Sequence, residues 1–93
     1  MQNLQHIIGA DLSKRTIDLF YHSHLKIENN TAGFKQMIKW FKEQNIKASK
    51  AMIVMEHTGL YSYLFENFLH NRNIAFTKVS ALAVKHSTSA SSR

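Results

Sequence analysis

Cysteine and proline are absent from this 93-residue chain, and glycine appears only three times. Without cysteine there is neither a disulfide framework nor a thiolate metal site, and the expected compartment is the reducing cytoplasm. Without proline, regular elements joined by Gly, Asn and Ser turns are expected. No stretch approaches the roughly eighteen consecutive apolar residues of a membrane span, so no membrane partner is expected. The opening Met1-Gln2-Asn3-Leu4-Gln5-His6 lacks the charged and apolar regions of a signal peptide. Acidic residues are also scarce. Six Asp and Glu stand against twelve Lys and Arg, giving a formal charge of +6, a balance that favours phosphate-rich partners through counterion release. What is present in quantity is apolar: 44% of residues, enough for one packed core in one small domain and too much for a disordered chain.

The apolar residues are arranged in two periods. Residues 6–12 read as a strand, and Ser13-Lys14-Arg15 as a tight polar turn. Residues 16–22 then alternate, with Ile17, Leu19 and Tyr21 on one face, and after Ser23 residues 24–28 alternate again with Leu25 and Ile27. Three strands with short links predict an antiparallel meander. Asn29-Asn30-Thr31 signals a helix start, with Asn30 or Thr31 as N-cap. Phe34, Met37, Ile38 and Phe41 follow at i, i+3, i+4 and i+7, and this helix is expected to end near Asn45. Residues 52–55 are continuously apolar, as in a central strand covered on both faces. Tyr61, Leu64, Phe65, Phe68 and Leu69 predict a second amphipathic helix stopping around residues 71–73. Residues 74–79 read as a fifth strand, and Ser80 as the cap of a short helix over 81–84. A right-handed crossover returns the fourth strand parallel to the first. The expected fold is α/β and ribonuclease-H-like: a mixed five-stranded sheet in the order 3-2-1-4-5 with packed helices. One domain is expected over residues 1–86, followed by a flexible Ser-rich tail over 87–93.

Two carboxylates end apolar strands in this scheme. Asp11 closes His6-Ile7-Ile8-Gly9-Ala10-Asp11, and Glu56 closes Ala51-Met52-Ile53-Val54-Met55-Glu56. On neighbouring parallel strands they emerge at one sheet edge, where hard oxygen ligands suit Mg²⁺ or Mn²⁺. Two acids are too few for a tight two-metal site, so weak binding is expected. The plainer alternative has Asp11 capping the turn before Lys14 and Glu56 capping the second helix. Lys14 and Arg15 directly follow Asp11 and would flank a phosphate bound there. Thr58 can cap a helix and Gly59 allows close approach of a phosphate, although both also suit ordinary strand-to-helix punctuation. Asp18 is read as a solvated face residue. His22 and His24 share a face only if the strand runs through Ser23, and His57, beside Glu56, is a candidate to orient a phosphate or water. Lys35, Lys39 and Lys42 form a basic stripe opposite the apolar helix face, read first as solvated surface.

Three strings together resemble the opening of one insertion-sequence transposase family: Ile8-Gly9-Ala10-Asp11-Leu12-Ser13-Lys14 with Thr16-Ile17-Asp18, then Asn29-Asn30-Thr31-Ala32-Gly33-Phe34, then Met55-Glu56-His57-Thr58-Gly59-Leu60-Tyr61. The family is the DEDD transposases, which include the pilin-gene invertase and the bridge-RNA-guided recombinases. The resemblance implies an N-terminal domain like the RuvC Holliday-junction resolvase, with four Mg²⁺-binding acids. Asp11 matches the first acid and Glu56 the second. The family's last two acids lie in an Asp-x-x-Asp motif, which occurs nowhere in these 93 residues, and its C-terminal domain with a nucleophilic serine has no counterpart here. The resemblance therefore implies the N-terminal part of a DNA transposase, inactive by itself. The implied partners are DNA, a guide RNA and, in the full-length protein, further protomers. Two rivals stay open. One is an ATP-binding fragment of the actin and sugar-kinase class, whose first hairpin also follows an Ile-Gly-x-Asp strand. The other is a non-catalytic module that binds nucleic acid or dimerises.

Overall fold

A computed structural model describes residues 4–57 and 59–80. Strand β1 (His6–Leu12) turns into β2 (Thr16–Phe20), β2 into β3 (His24–Glu28), and helix α1 (Thr31–Glu43) then leads through a 3₁₀ turn (Ala48–Lys50) to β4 (Ala51–Glu56). A second 3₁₀ turn (Gly59–Ser62) runs into α2 (Tyr63–Asn71), and β5 (Ala75–Val79) completes one mixed sheet. The sheet order is β3-β2-β1-β4-β5, as expected from the sequence. β1 and β2 pair antiparallel, as do β2 and β3, whereas β4 runs parallel to both β1 and β5.

Alternation decides which side chains meet the helices. Ile8, Ala10 and Leu12 of β1, Ile17 and Leu19 of β2, Ile27 of β3, and Ala51, Ile53 and Met55 of β4 are all buried. They share one core with Phe34, Met37, Trp40 and Phe41 of α1 and Phe65 and Leu69 of α2. Phe34 anchors the helix pair, its ring 5.3 Å from Phe65 and 5.1 Å from Phe68. Both helices therefore lie on the same face of the sheet. The reading of residues 52–55 as covered on both faces is corrected here: Met52 and Val54 are only half-buried, because no described helix lies on their side.

Helix boundaries follow from capping chemistry. Asn30 is the N-cap of α1, its side-chain oxygen accepting from the Gly33 N–H at 2.9 Å. Gly33 is required by close approach: a Cβ there would run into the Glu28 carbonyl oxygen and stand 2.7 Å from the Glu28 carbonyl carbon and nitrogen. Both helices end in the same motif. Asn45 and Asn73 take left-handed backbone with φ of 58°, and the next residues, Ile46 and Ile74, donate back to Phe41 and Leu69 carbonyls at 2.8 and 2.9 Å. This is a Schellman closure with Asn in the position glycine usually fills, and each following Ile is buried as its apolar contact.

Three further expectations are adjusted. β2 ends at Phe20 rather than at residue 22, since Tyr21–Ser23 form a turn closed by a Tyr21 N–H to Ser23 carbonyl bond of 2.9 Å. This separates His22 from His24, so the two histidines do not share a strand face. The second helix begins as a 3₁₀ turn, and of its five marker residues only Phe65 and Leu69 are fully buried; Tyr61 and Leu64 are exposed. For Tyr61 the reason is that three residues per turn shift the phase of the buried stripe, and Ser62 takes the inward position; Leu64, inside α2, lies about 100° round the helix from Phe65 and faces outward. The helix expected over 81–84, the boundary at 86 and the tail over 87–93 lie outside the described residues. Among those described, no helix is long and apolar enough to cross a membrane.

Candidate functional site

The sheet face away from the helices carries most of the acids. On β1 it presents Ile7, Gly9 and Asp11, and on β2 it presents Thr16, Asp18 and Phe20, because these residues alternate with the buried ones. Asp11 stands directly opposite Asp18 across the β1–β2 hairpin, and Asp18 stands opposite Lys26 of β3. On the other side Ala10 pairs with Met55, so Asp11 and Glu56 are the next register neighbours on parallel strands. Glu56 in turn faces Val79 of β5. One row across the open face thus reads Lys26, Asp18, Asp11, Glu56, Val79, with adjacent backbones about 5 Å apart.

The charges in this row are unevenly compensated. Asp18 accepts a 2.7 Å hydrogen bond from His24 Nε2, and His24 stacks on Phe20 at 4.8 Å. Among the described residues the Asp11 and Glu56 side chains have neither a hydrogen bond nor an ion pair. Like charges directly opposite in a sheet repel, so Asp11 stands between two carboxylates with no cation of its own. The capping roles are also taken by other groups. Ser13 Oγ closes the β1–β2 turn, accepting from the Thr16 N–H at 3.1 Å, and α2 begins beyond Glu56 at Tyr63.

Around this edge the sequence candidates fall as follows. Lys14 and Arg15 are exposed in the turn that follows Asp11. Gly59 opens the 3₁₀ turn after β4, and Thr58 lies outside the described residues. His57 extends the β4–β5 ladder through a 2.8 Å bond from its N–H to the Val79 carbonyl, and its charge favours the ionised form of Glu66. At Glu66, burial opposes ionisation. Hydrogen bonds from Ser62 and Lys78, with the charges of Lys78 and His57, outweigh it and hold the carboxyl below its ordinary range. Lys78 Nζ lies 3.0 Å from Glu66 Oε2 on the helix-covered side.

Two placements in this region lie beyond pattern reading. Asp18 lies on the open face opposite Ile17 and Leu19, as expected of a solvated face residue; that it stands opposite Asp11 comes from the hairpin register pairing Leu12 with Ile17. In the sequence Asn29 is legible only as part of a helix start. Its side-chain nitrogen donates to the Ser13 carbonyl and to the Tyr61 carbonyl, each at 2.9 Å, fastening the basic turn to the 3₁₀ turn after β4. Nothing local in the sequence announces a contact across 32 positions.

As a metal centre the donor set is chemically apt and numerically short. Two carboxylates are the ligand type Mg²⁺ and Mn²⁺ select. Among the described residues no group of three or more His, Asp and Glu side chains is arranged to hold a metal. No protein-family model matches the chain, and no match is found among curated proteins. The resemblance to the DEDD transposases thus rests on the quoted residues alone.

Proposed function

We propose that this chain is the N-terminal part of a cytoplasmic DNA transposase or recombinase that acts on DNA phosphodiesters with a divalent metal. The observation that supports this reading is the parallel register of β1 and β4, which makes Asp11 and Glu56, acids whose side chains have no partner among the described residues, neighbours at the C-terminal ends of adjacent strands. Asp11 is the central ligand and Glu56 holds one side of the site. A bound cation supplies charge neutralisation at the phosphate and an activated oxygen nucleophile. Lys14 and Arg15 steer the nucleic-acid backbone toward the acids, and Thr58 and Gly59 are its further binding residues. DNA is the substrate, a guide RNA and further protomers are the partners of the complete protein, and the 93 residues alone bind metal weakly and do not cut.

A second reading, a non-catalytic nucleic-acid-binding or dimerisation module, is favoured by the absence of a third metal donor among the described residues. Calorimetric titration with Mg²⁺ and Mn²⁺ separates the two. The transposase reading expects millimolar binding that disappears in Asp11→Asn and in Glu56→Gln. Binding unaffected by both substitutions, or none at all, favours the module. A Mg²⁺-dependent assay on duplex and branched DNA completes the test: the wild-type chain should bind in a salt-sensitive way and leave the strands intact.

A further inference from the structure

The most conspicuous surface outside the acidic row is apolar. Leu60 is 89% exposed, Tyr63 68%, Leu64 57% and Tyr61 46%. Ser62, Phe65 and Leu69 turn inward; with about 120° per residue through the 3₁₀ turn and about 100° through α2, Leu60 and Tyr63 fall together on the opposite side, with Tyr61 and Leu64 on one flank. Such a patch on a small domain marks a binding surface more often than chance exposure. Its neighbours indicate the chemistry of the partner. The single Asn29 amide binds the Tyr61 carbonyl and the Ser13 carbonyl, and the Asn29 N–H donates to the Arg15 carbonyl at 2.8 Å. The exposed aromatic segment and the exposed cations Lys14 and Arg15 are thereby held as one unit.

We propose that this unit binds single-stranded nucleic acid, with a base stacked on Tyr63 and the backbone drawn along Lys14 and Arg15. Stacking needs an exposed aromatic face, and backbone tracking needs cations beside it; single-stranded nucleic acid uses both. Duplex DNA hides its base faces and would leave Leu60, Tyr63 and Leu64 against phosphates. The inference rests on the nucleic-acid part of the proposed function and deepens it: the strand reaches the acidic edge unpaired.

The test is fluorescence anisotropy of a labelled oligothymidylate and of a duplex of equal length, in a chelating buffer so that no metal site contributes. Wild-type protein should prefer the single strand. Tyr63→Ala should weaken single-strand binding about tenfold while changing duplex binding less than about twofold, and Tyr63→Phe, which keeps the ring, should restore it. Replacing Lys14 and Arg15 by Gln should reduce the salt slope by roughly 1.4, the value for two single-strand phosphate contacts. Equal affinity for duplex, or unchanged single-strand binding in Tyr63→Ala, overturns the proposal. So does sedimentation showing that the patch is a dimer contact which Tyr63→Ala abolishes without touching DNA binding. Because metal is excluded, these results stand apart from the fate of the Asp11 and Glu56 site.

Discussion

The two faces of the sheet are built from alternate residues of the same strands and could hardly differ more. The helix-covered face is apolar and closed: Ile8, Ile17, Leu19, Ile53, Phe65 and Leu69 are all fully buried. Among the described residues its ion pair, Lys78 with Glu66, sits at the margin and is complete. The open face carries Asp11, Asp18, Glu28 and Glu56, four of the chain's six acids, in a protein whose net charge is +6. It also leaves Ile7 and Phe20 exposed and Met52 and Val54 half-covered. One face has been arranged for stability. The other bonds Asp18 to His24 and Glu28 to Asn30 but leaves the Asp11 and Glu56 carboxylates side by side without a side-chain partner among the described residues, an arrangement a folding argument alone does not call for.

That contrast predicts the largest mutational difference between two residues of the same type. Phe65→Ala removes a fully buried ring that packs on Phe34 and should cost about 3–5 kcal/mol. Phe20→Ala on the open face loses mainly its stacking on His24 and should cost below about 1 kcal/mol. Urea denaturation of the two variants measures both. A Phe20→Ala cost approaching that of Phe65→Ala would mean that the open face is covered in solution, and the comparison would then concern two interfaces rather than a core and a surface.

The core face was legible because period and type coincide there. Ile17 with Leu19, and Phe34 with Met37 and Phe41, fix strand and helix by spacing alone, and the Asn29-Asn30-Thr31 signal fixes where α1 starts. The strand order followed from the crossover rule. What pattern could not supply was anything set by a phase change or a long-range bond. The 3₁₀ turn ahead of α2 turns Tyr61 outward against its helical spacing, and the Asn29 bridge to Tyr61 has no local trace. The acidic row was half legible. Asp11 and Glu56 stand out as acids ending apolar runs, whereas Asp18 looks like any solvated residue until the hairpin register is applied.

A smaller effect separates the paired acid from the unpaired ones by pH. The Glu66 carboxyl is held below its ordinary value, with burial opposing and Ser62, Lys78 and His57 favouring the charged form. A depressed folded-state value contributes stability that is fully present above the unfolded-state value, near pH 4.5, and is lost as pH falls through the folded value. Unfolding free energy should therefore decline on acidification below about pH 5. Glu66→Gln should shallow that decline while lowering stability at neutral pH, as followed by denaturation at a series of pH values. An unchanged acid limb would show that the Lys78 pair contributes nothing to it.

The smallest expected effect on stability is also the one that tests the open face most directly. Asp11 stands opposite Asp18 and beside Glu56 in register, with no side-chain hydrogen bond among the described residues to lose. Asp11→Asn keeps the shape of the side chain and removes one charge from a row of three. Surface substitutions away from special features change stability by no more than about 0.5 kcal/mol, and relief of cross-strand repulsion pushes the sign toward stabilisation. The metal dependence should move the other way. With affinity on the order of 1–10 mM, about 10 mM Mg²⁺ stabilises the wild-type chain by roughly 0.4–1.4 kcal/mol through binding to the folded state. In Asp11→Asn that increment should vanish although the variant is at least as stable without metal. Thermal melts of both proteins, with Mg²⁺ and with chelator, read the two effects independently. A variant destabilised without metal would give Asp11 a structural role that its exposed, unbonded position does not suggest. A variant that keeps the full Mg²⁺ increment would remove Asp11 from the metal site and leave the open face with charge but no chemistry.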